Sequence, residues 1–131
     1  LQMGADMAYM GTRFINTEES GANDEYRHMI EDAGSSDVVY TAAISGVHAN
    51  FLGQSLKAAG LSDEDLKKDT KIDFGKELNT EAKAWKTIWS AGQGSAIIDN
   101  TLPVKDLVAQ LKTEFKQAIE EQAKWLETYP K

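Results

Sequence analysis

The chain contains no cysteine among its 131 residues. Disulfide bonds, thiolate metal sites and cysteine nucleophiles are therefore excluded, and thiol usage does not indicate a redox compartment. The absence is compatible with the cytoplasm, which is the location we expect. No metal site is expected either, because the clustered acidic residues fall at predicted helix starts or on polar faces.

Basic side chains are also few, with 14 Lys and Arg against 21 Asp and Glu and a net charge of -7. Phosphate backbones and anionic membranes repel such a molecule, so neither nucleic acid nor a membrane is an expected partner. No apolar run approaches the ~20 residues of a membrane span. Residues 1–5 lack signal-peptide order and resemble a helix end stopped by Gly4, so we expect the chain to begin inside a domain.

The length suits one modest domain, and it is only about half of the ~250 residues of a typical (β/α)8 barrel. A short apolar run at residues 6–10, closed by Gly11, predicts a buried strand. Residues 37–41 are rich in β-branched side chains and predict a second strand or an extended loop. A lone early strand needs partners for its backbone groups, so it indicates missing neighbours.

The rest of the pattern is helical, and the predicted fold class is α-rich α/β. Helices are predicted from an Asn23 cap to Gly34, over residues 49–59 with a stop at Gly60, in a short turn capped by Ser62, from Thr80 through Trp89, and from Pro103 to about Thr128. Residues 67–79 are polar and predict a surface excursion.

The most informative local feature is the passage from the predicted strand into Gly11 and Thr12. A strand that ends in Gly and Thr can present bare backbone amides and a hydroxyl to a phosphate. Barrel enzymes often bind phosphate after strands 7 and 8. Taken alone, a Gly-Thr pair after a strand is also found in ordinary tight turns, so a tight turn without a ligand is the alternative interpretation.

Four blocks carry a family resemblance, and together they span most of the chain. They are Gly4 to Glu19 with its core at residues 10–14, residues 39–52, residues 58–61 and residues 84–94. In this order they resemble the C-terminal part of the nitronate monooxygenases, FMN-dependent oxidoreductases once called 2-nitropropane dioxygenases. The resemblance implies a C-terminal fragment of a (β/α)8 TIM barrel.

Three segments follow from that resemblance. Residues 1–34 would hold the last barrel strand, a phosphate-binding turn and a helix; residues 35–100 would be a helical insertion over the active site; residues 101–131 would be the closing helix. The resemblance implies that Met10, Gly11 and Thr12 hold the FMN phosphate.

Four further residues are candidates to line the active site: His48, Ser90, Gly92 and Gln93. Gln93 offers an amide donor and acceptor, and the two glycines beside it allow close backbone approach. A glycine-rich bend that only joins two helices is an equally weighted alternative interpretation of residues 90–94. His48 has no positioned carboxylate or metal partner in the pattern, and His28 reads as a solvated side chain on a polar helix face.

The resemblance also implies that the catalytic histidine and the other flavin loops lie upstream, so no catalytic residue is assigned. We expect the isolated chain to be inactive and to bind FMN weakly or not at all. The intact protein would oxidise a nitronate with dioxygen, or reduce a quinone with NADH as another member of the family. The rival reading is a stand-alone helical binding or oligomerisation module, and self-association is expected under either.

Overall fold

The computed structural model describes residues 3–44, 46–67 and 87–129, and these ranges hold four α-helices and one two-stranded sheet. The elements are α1 (Thr12–Ile15), α2 (Asp24–Asp32), β1 (Val38–Thr41), β2 (Ala49–Leu52), α3 (Gly53–Ala58) and α4 (Val104–Thr128), with 3-10 turns at Ser35–Asp37, Asp65–Lys67 and Gln93–Ile97. Most of the predicted surface excursion, and the predicted helix from Thr80 as far as Lys86, fall outside the described residues.

Helix α2 confirms its prediction from the sequence. The Asn23 side chain accepts a hydrogen bond from Tyr26 N at 2.8 Å, as an N-cap residue does. Acidic residues occupy the first turn, where the helix dipole favours them. Ile30 and Ala33 are buried, so the apolar face identified by its spacing is the face that packs inward.

Strands β1 and β2 pair antiparallel, with Val38 opposite Leu52. The strand expected at residues 37–41 is confirmed, but the helix expected over residues 49–59 is wrong for its first four residues, which form β2. Phe51 and Leu52 are both buried and adjacent, a pattern that a buried helix also shows. In the strand the two side chains point to opposite faces, and each enters a different apolar cluster.

The two clusters make the core of the described structure. The first is built on Ile30, Ala33, Leu52, Ala91 and Ile98, and the second on Phe51, Leu56 and Ile88. Ile88 and Trp89, expected on a helix, lie in a non-helical stretch beside β2. Here Leu52 N donates to Trp89 O at 2.8 Å, so the backbone serves the strand edge and not a helix.

The ends of the middle elements follow their sequence signals. Gly60 adopts a φ of 83° and stops α3, a conformation that only glycine adopts at little cost. Ser62 Oγ accepts from Asp65 N at 3.3 Å and donates to Asp65 Oδ2 at 2.6 Å. The predicted Ser62 cap is therefore confirmed, on a 3-10 turn.

Helix α4 is capped by a residue far away in sequence. The two carboxylate oxygens of Glu19 accept from Val104 N at 3.0 and 2.9 Å. An anion is favourable at the positive end of a helix, and Pro103 has no side-chain cap to offer. Glu18 N also donates to Leu102 O at 3.1 Å. The turn after α1 is thus joined to the start of α4, whose predicted span to about Thr128 is confirmed.

The apolar stripe of α4 is covered only near its beginning. Leu107 is 1% exposed, whereas Phe115 is 47%, Trp125 71% and Leu126 74% exposed. The part of the stripe beyond Leu111 therefore packs against little of the described structure. In the same described part of the chain, no helix has both the length and the apolar content needed to cross a bilayer.

The strand predicted at residues 6–10 is not formed. Residues 3–10 belong to no helix or strand, and Met7 and Tyr9 are 82% and 103% exposed. A strand needs a neighbour for its N–H and C=O groups, and within the described ranges neither β1 nor β2 pairs with residues 3–10. The apolar pattern predicts burial, but burial of a strand requires those neighbours.

Substitution of Gly53 by Ala should destabilise the fold. A Cβ at Gly53 would lie 2.9 Å from Asp37 O and 3.4 Å from Val39 Cγ2, and a backbone carbonyl cannot rotate away. We expect the free energy of unfolding to fall by about 1–3 kcal/mol in urea titrations. Gly21→Ala is the matched control, because a Cβ there meets nothing within 4 Å. Equal losses in the two variants would contradict this account.

The chain is expected to self-associate through apolar side chains that α4 exposes. Sedimentation velocity should show an average mass that rises with concentration. Trp125→Glu places a charge on the stripe and should shift the chain towards monomer, whereas Gln117→Glu should not. A monomeric profile at every concentration would show the expectation to be wrong.

Candidate phosphate-binding site

The turn singled out by the sequence lies at the start of α1. Phe14 N and Ile15 N both donate to Gly11 O, at 3.0 and 3.3 Å. The N–H groups of Thr12 and Arg13 therefore precede the first hydrogen bond of the helix. A Cβ at Gly11 would meet no atom within 4 Å. The space beside Gly11 is open to a ligand.

The Thr12 hydroxyl links this turn to the glycine-rich segment 80 residues later in the chain. Its Oγ1 accepts a hydrogen bond from Gly92 N at 2.8 Å. A hydroxyl has one proton to donate in addition to the lone pairs that accept. Within residues 3–44, 46–67 and 87–129 that proton has no acceptor, so it can be donated to a ligand oxygen.

A cavity of about 460 Å³ opens beside the turn. Its volume lies in the range of roughly 300–1,000 Å³ that small-molecule sites occupy. One wall is the turn, another is the segment from Gly92 to Ile98, and the third is a face of α4. The residues that line it are Tyr9, Met10, Gly11, Thr12, Arg13, Gly92, Gly94, Ile97, Ile98, Leu107, Gln110, Leu111 and Glu114.

Arg13 is the one cationic side chain among these described lining residues. Its Nη1 donates to Asn16 O and to Asn100 O, each at 3.1 Å, and its Nη2 donates to Asn100 Oδ1 at 2.7 Å. The guanidinium group is thus fixed beside the turn. No role was predicted for Arg13 from the sequence, although its position directly after Thr12 is a signal for one.

A buried polar network lies beneath the turn. The Nδ2 atom of Asn16, whose side chain is fully buried, lies 2.8 Å from Glu31 Oε1, 3.2 Å from Asn100 O and 3.2 Å from Thr101 Oγ1. Thr101 Oγ1 donates to the same Glu31 oxygen at 3.0 Å. These bonds join the end of α1 to α2 and to the segment that precedes α4.

A second cavity of about 600 Å³ lies on the other side of Met10 and Gly11. Tyr26 and Trp89 line it with stacked rings, 5.1 Å between centroids and 15° between planes. The Tyr26 hydroxyl donates to Ser90 O. Burial raises the pKa of Tyr26 above its ordinary value of 10.0. A hydrogen bond with the Ser90 side chain lowers this pKa, but by less than burial raises it. The hydroxyl is therefore a protonated donor at neutral pH.

The structure brings together four of the residues named from the sequence. Met10, Gly11, Thr12 and Gly92 all line the first cavity. Ser90 contributes its carbonyl to Tyr26 and Gln93 is exposed at the start of a 3-10 turn, and neither lines that cavity. Gly92 N lies close to Thr12, but a Cβ at Gly92 would stand 3.5 Å from Thr12 Oγ1 and one at Gly94 would meet nothing within 4 Å, so the approach does not require glycine at either position.

The histidines lie elsewhere. His48 is exposed, with its ring against Tyr40 at a centroid distance of 4.9 Å, and it lines neither of the two cavities. His28 is exposed on α2, as the sequence pattern indicated. Across the described ranges, no group of three His, Asp or Glu side chains is arranged to hold a metal ion.

Comparison with known proteins adds to this geometry. The family model described as "Nitronate monooxygenase" matches residues 1–114. A nitronate monooxygenase of Paraburkholderia phytofirmans is 36% identical over 129 residues, covering 92% of this chain and 35% of the relative. A probable nitronate monooxygenase of Staphylococcus saprophyticus is 41% identical over 105 residues, covering 75% and 29%. The chain spans about a third of the length of these curated relatives.

Two solved structures resemble the fold. A point mutant of FabK from Thermotoga maritima superposes with a TM-score of 0.67 and 25% identity, covering 95% of this chain and 38% of that chain. FabK itself from the same organism gives a TM-score of 0.64 with 22% identity, covering 88% and 39%. The helix-rich structure of this chain therefore corresponds to part of a larger fold.

The raised pKa of Tyr26 predicts a pH dependence of stability. The folded chain holds the phenol proton more tightly than the unfolded chain, so this contribution is complete below pH 10.0 and is lost as the pH rises through the folded pKa. Urea unfolding at about pH 8 and about pH 10.5 should show a smaller loss in Tyr26→Phe than in the unmodified chain. Tyr40→Phe, at an exposed position, is the control. An identical loss in both variants would contradict the assignment.

Proposed function

This chain belongs to the nitronate monooxygenase family, and from that premise we propose that it forms the phosphate side of an FMN site in an oxidoreductase that oxidises nitronates with dioxygen. The observation that carries the proposal is the Thr12 hydroxyl, which is fixed by Gly92 N and retains a proton to donate into a cavity of suitable size. The relatives are named for nitronate oxidation, and the geometry supplies a place for a phosphate.

The residues present fit a phosphate group. Gly11 has open space where a side chain would stand, so a phosphate oxygen can approach the backbone there. Thr12 offers its hydroxyl and its N–H, and Met10 lies between the phosphate cavity and the second one. With the backbone N–H of Arg13, these make three neutral donors that can hold an anion on the side of the cavity formed by the turn, whereas Glu114 lines the wall formed by α4.

The bound flavin would supply the electron-transfer chemistry, which no side chain can provide. The residues of this chain would bind and orient it: the turn would hold the phosphate, and Ile97, Ile98 and Leu107 would exclude water from one side of the cavity. Neither histidine lies at the cavity, so we propose that the base that takes the substrate proton stands elsewhere in the intact protein.

We also propose that residues 6–10 form the last strand of a (β/α)8 barrel, paired on both sides in the intact protein. The unpaired backbone and exposed side chains of this segment support that role, because both require neighbours that β1 and β2 do not supply. The likeness to part of the longer FabK chains supports it also.

We expect the chain by itself to bind FMN weakly and to show no nitronate turnover, since it carries one side of the proposed site. To test the activity, the chain is placed into the Paraburkholderia relative in exchange for the third that it matches. This chimera should bind FMN and take up dioxygen with a nitronate. Thr12→Val should weaken its FMN affinity about tenfold, the worth of one hydrogen bond to a charged group, and Thr12→Ser should not.

Thr113→Val is the matched control, because Thr113 lies on the exposed side of α4 and bonds only within its helix. A parallel assay with a quinone and NADH separates the two activities expected in the family. A folded chimera that binds no FMN, or one whose FMN affinity ignores Thr12→Val, would overturn the proposed site. Tight FMN binding by the chain alone would contradict the expected weakness.

A further inference from the structure

The guanidinium group of Arg13 has an unused edge. Of its five N–H groups, both on Nη1 are used, by Asn16 O and Asn100 O, and one on Nη2 is used by Asn100 Oδ1. One N–H on Nε and one on Nη2 are left, and in the described part of the chain neither meets an acceptor. These two point in the same direction along one edge, a fork that matches two oxygens of one phosphate.

The charges around the cavity indicate why the free edge of Arg13 matters for an anionic ligand. Arg13 is the cation and Glu114 the carboxylate among the described lining residues, and Glu114 Oε1 accepts from Gln110 on the same wall. With Arg13 present the two lining charges balance. Without it the cavity would carry a negative charge in a chain of net charge -7. A dianionic ligand would then be repelled.

Arg13 is also held in place before any ligand arrives. Asn100 takes two of its N–H groups, one through the backbone carbonyl and one through the side chain. Asn16 O takes a third, and the Asn16 side chain is itself fully buried. A fixed side chain loses little conformational freedom on binding, which favours affinity.

From these observations we propose that Arg13 is a phosphate ligand of this site, and that it determines the preference for a phosphorylated flavin over an unphosphorylated one. The Nε and Nη2 edge binds two phosphate oxygens, while Thr12 donates to a third. The proposal rests on the proposed function, since the phosphate is that of FMN. It adds the charged group that the neutral turn lacks.

The test compares FMN with riboflavin, which differ by the phosphate alone. Both are titrated into the chimera of this chain with the Paraburkholderia relative, with ³¹P line broadening for FMN and fluorescence for both flavins. The ratio of the two affinities should fall about tenfold in Arg13→Met and about threefold in Arg13→Lys, which keeps the charge but loses the fork. Riboflavin affinity should stay unchanged in both.

Arg27→Met is the control, because Arg27 also bonds a backbone carbonyl, Ser20 O at 3.0 Å, but is paired with Asp24 and lines neither cavity. If the ratio of FMN to riboflavin affinity in Arg13→Lys and in Arg13→Met equals that of the protein with Arg13, the proposal for Arg13 is overturned while the FMN site stands. Equal weakening of both flavins also overturns it, because Arg13 would then act on the fold alone. If Arg13→Met does not fold, the Arg13→Lys ratio decides. If the chimera without substitutions in this chain shows no preference for FMN, the proposed function itself fails.

Discussion

The buried amide of Asn16 is the contact on which the arrangement of the site depends. Its nitrogen faces the Glu31 carboxylate, the Asn100 carbonyl and the Thr101 hydroxyl, and so draws α1, α2 and the segment before α4 to one point. Without it, the half-buried Glu31 carboxylate would keep Thr101 as its one remaining partner of the network. Removal of one partner from a buried polar group costs more than the bond itself contributes, because the other partner stays desolvated.

The candidate site is built from backbone and small side chains more than from chemically active ones. Gly11 supplies space, Gly92 supplies an N–H, and Thr12 is oriented because that N–H occupies one of its lone pairs. Such a site is suited to holding and orienting a ligand, and neither histidine lines its cavity. Membership of an oxidoreductase family and the lack of a histidine at the cavity are therefore compatible, since the chain spans about a third of its relatives.

Several elements could be predicted because their causes are local. Asn23 caps α2 through its own next turn, Gly60 stops α3 by its left-handed backbone, and α4 follows from its apolar repeat. Predictions failed where the cause was distant. Residues 49–52 became a strand because β1 was there to pair with them, and residues 6–10 did not because no described strand lies beside them. A buried apolar run does not reveal which backbone will satisfy it.

The same division holds at the site. By itself, the sequence predicted that Met10, Gly11 and Thr12 could meet a phosphate, because that capacity lies in adjacent residues, and the family blocks indicated FMN as the ligand. Only the tertiary structure decided that Gly92 belongs with them while Ser90, Gln93 and His48 lie outside the cavity, and that Asn100 orients Arg13. Hydrogen bonds across more than 80 residues depend on how the elements pack, and packing is not encoded in any single stretch of the chain.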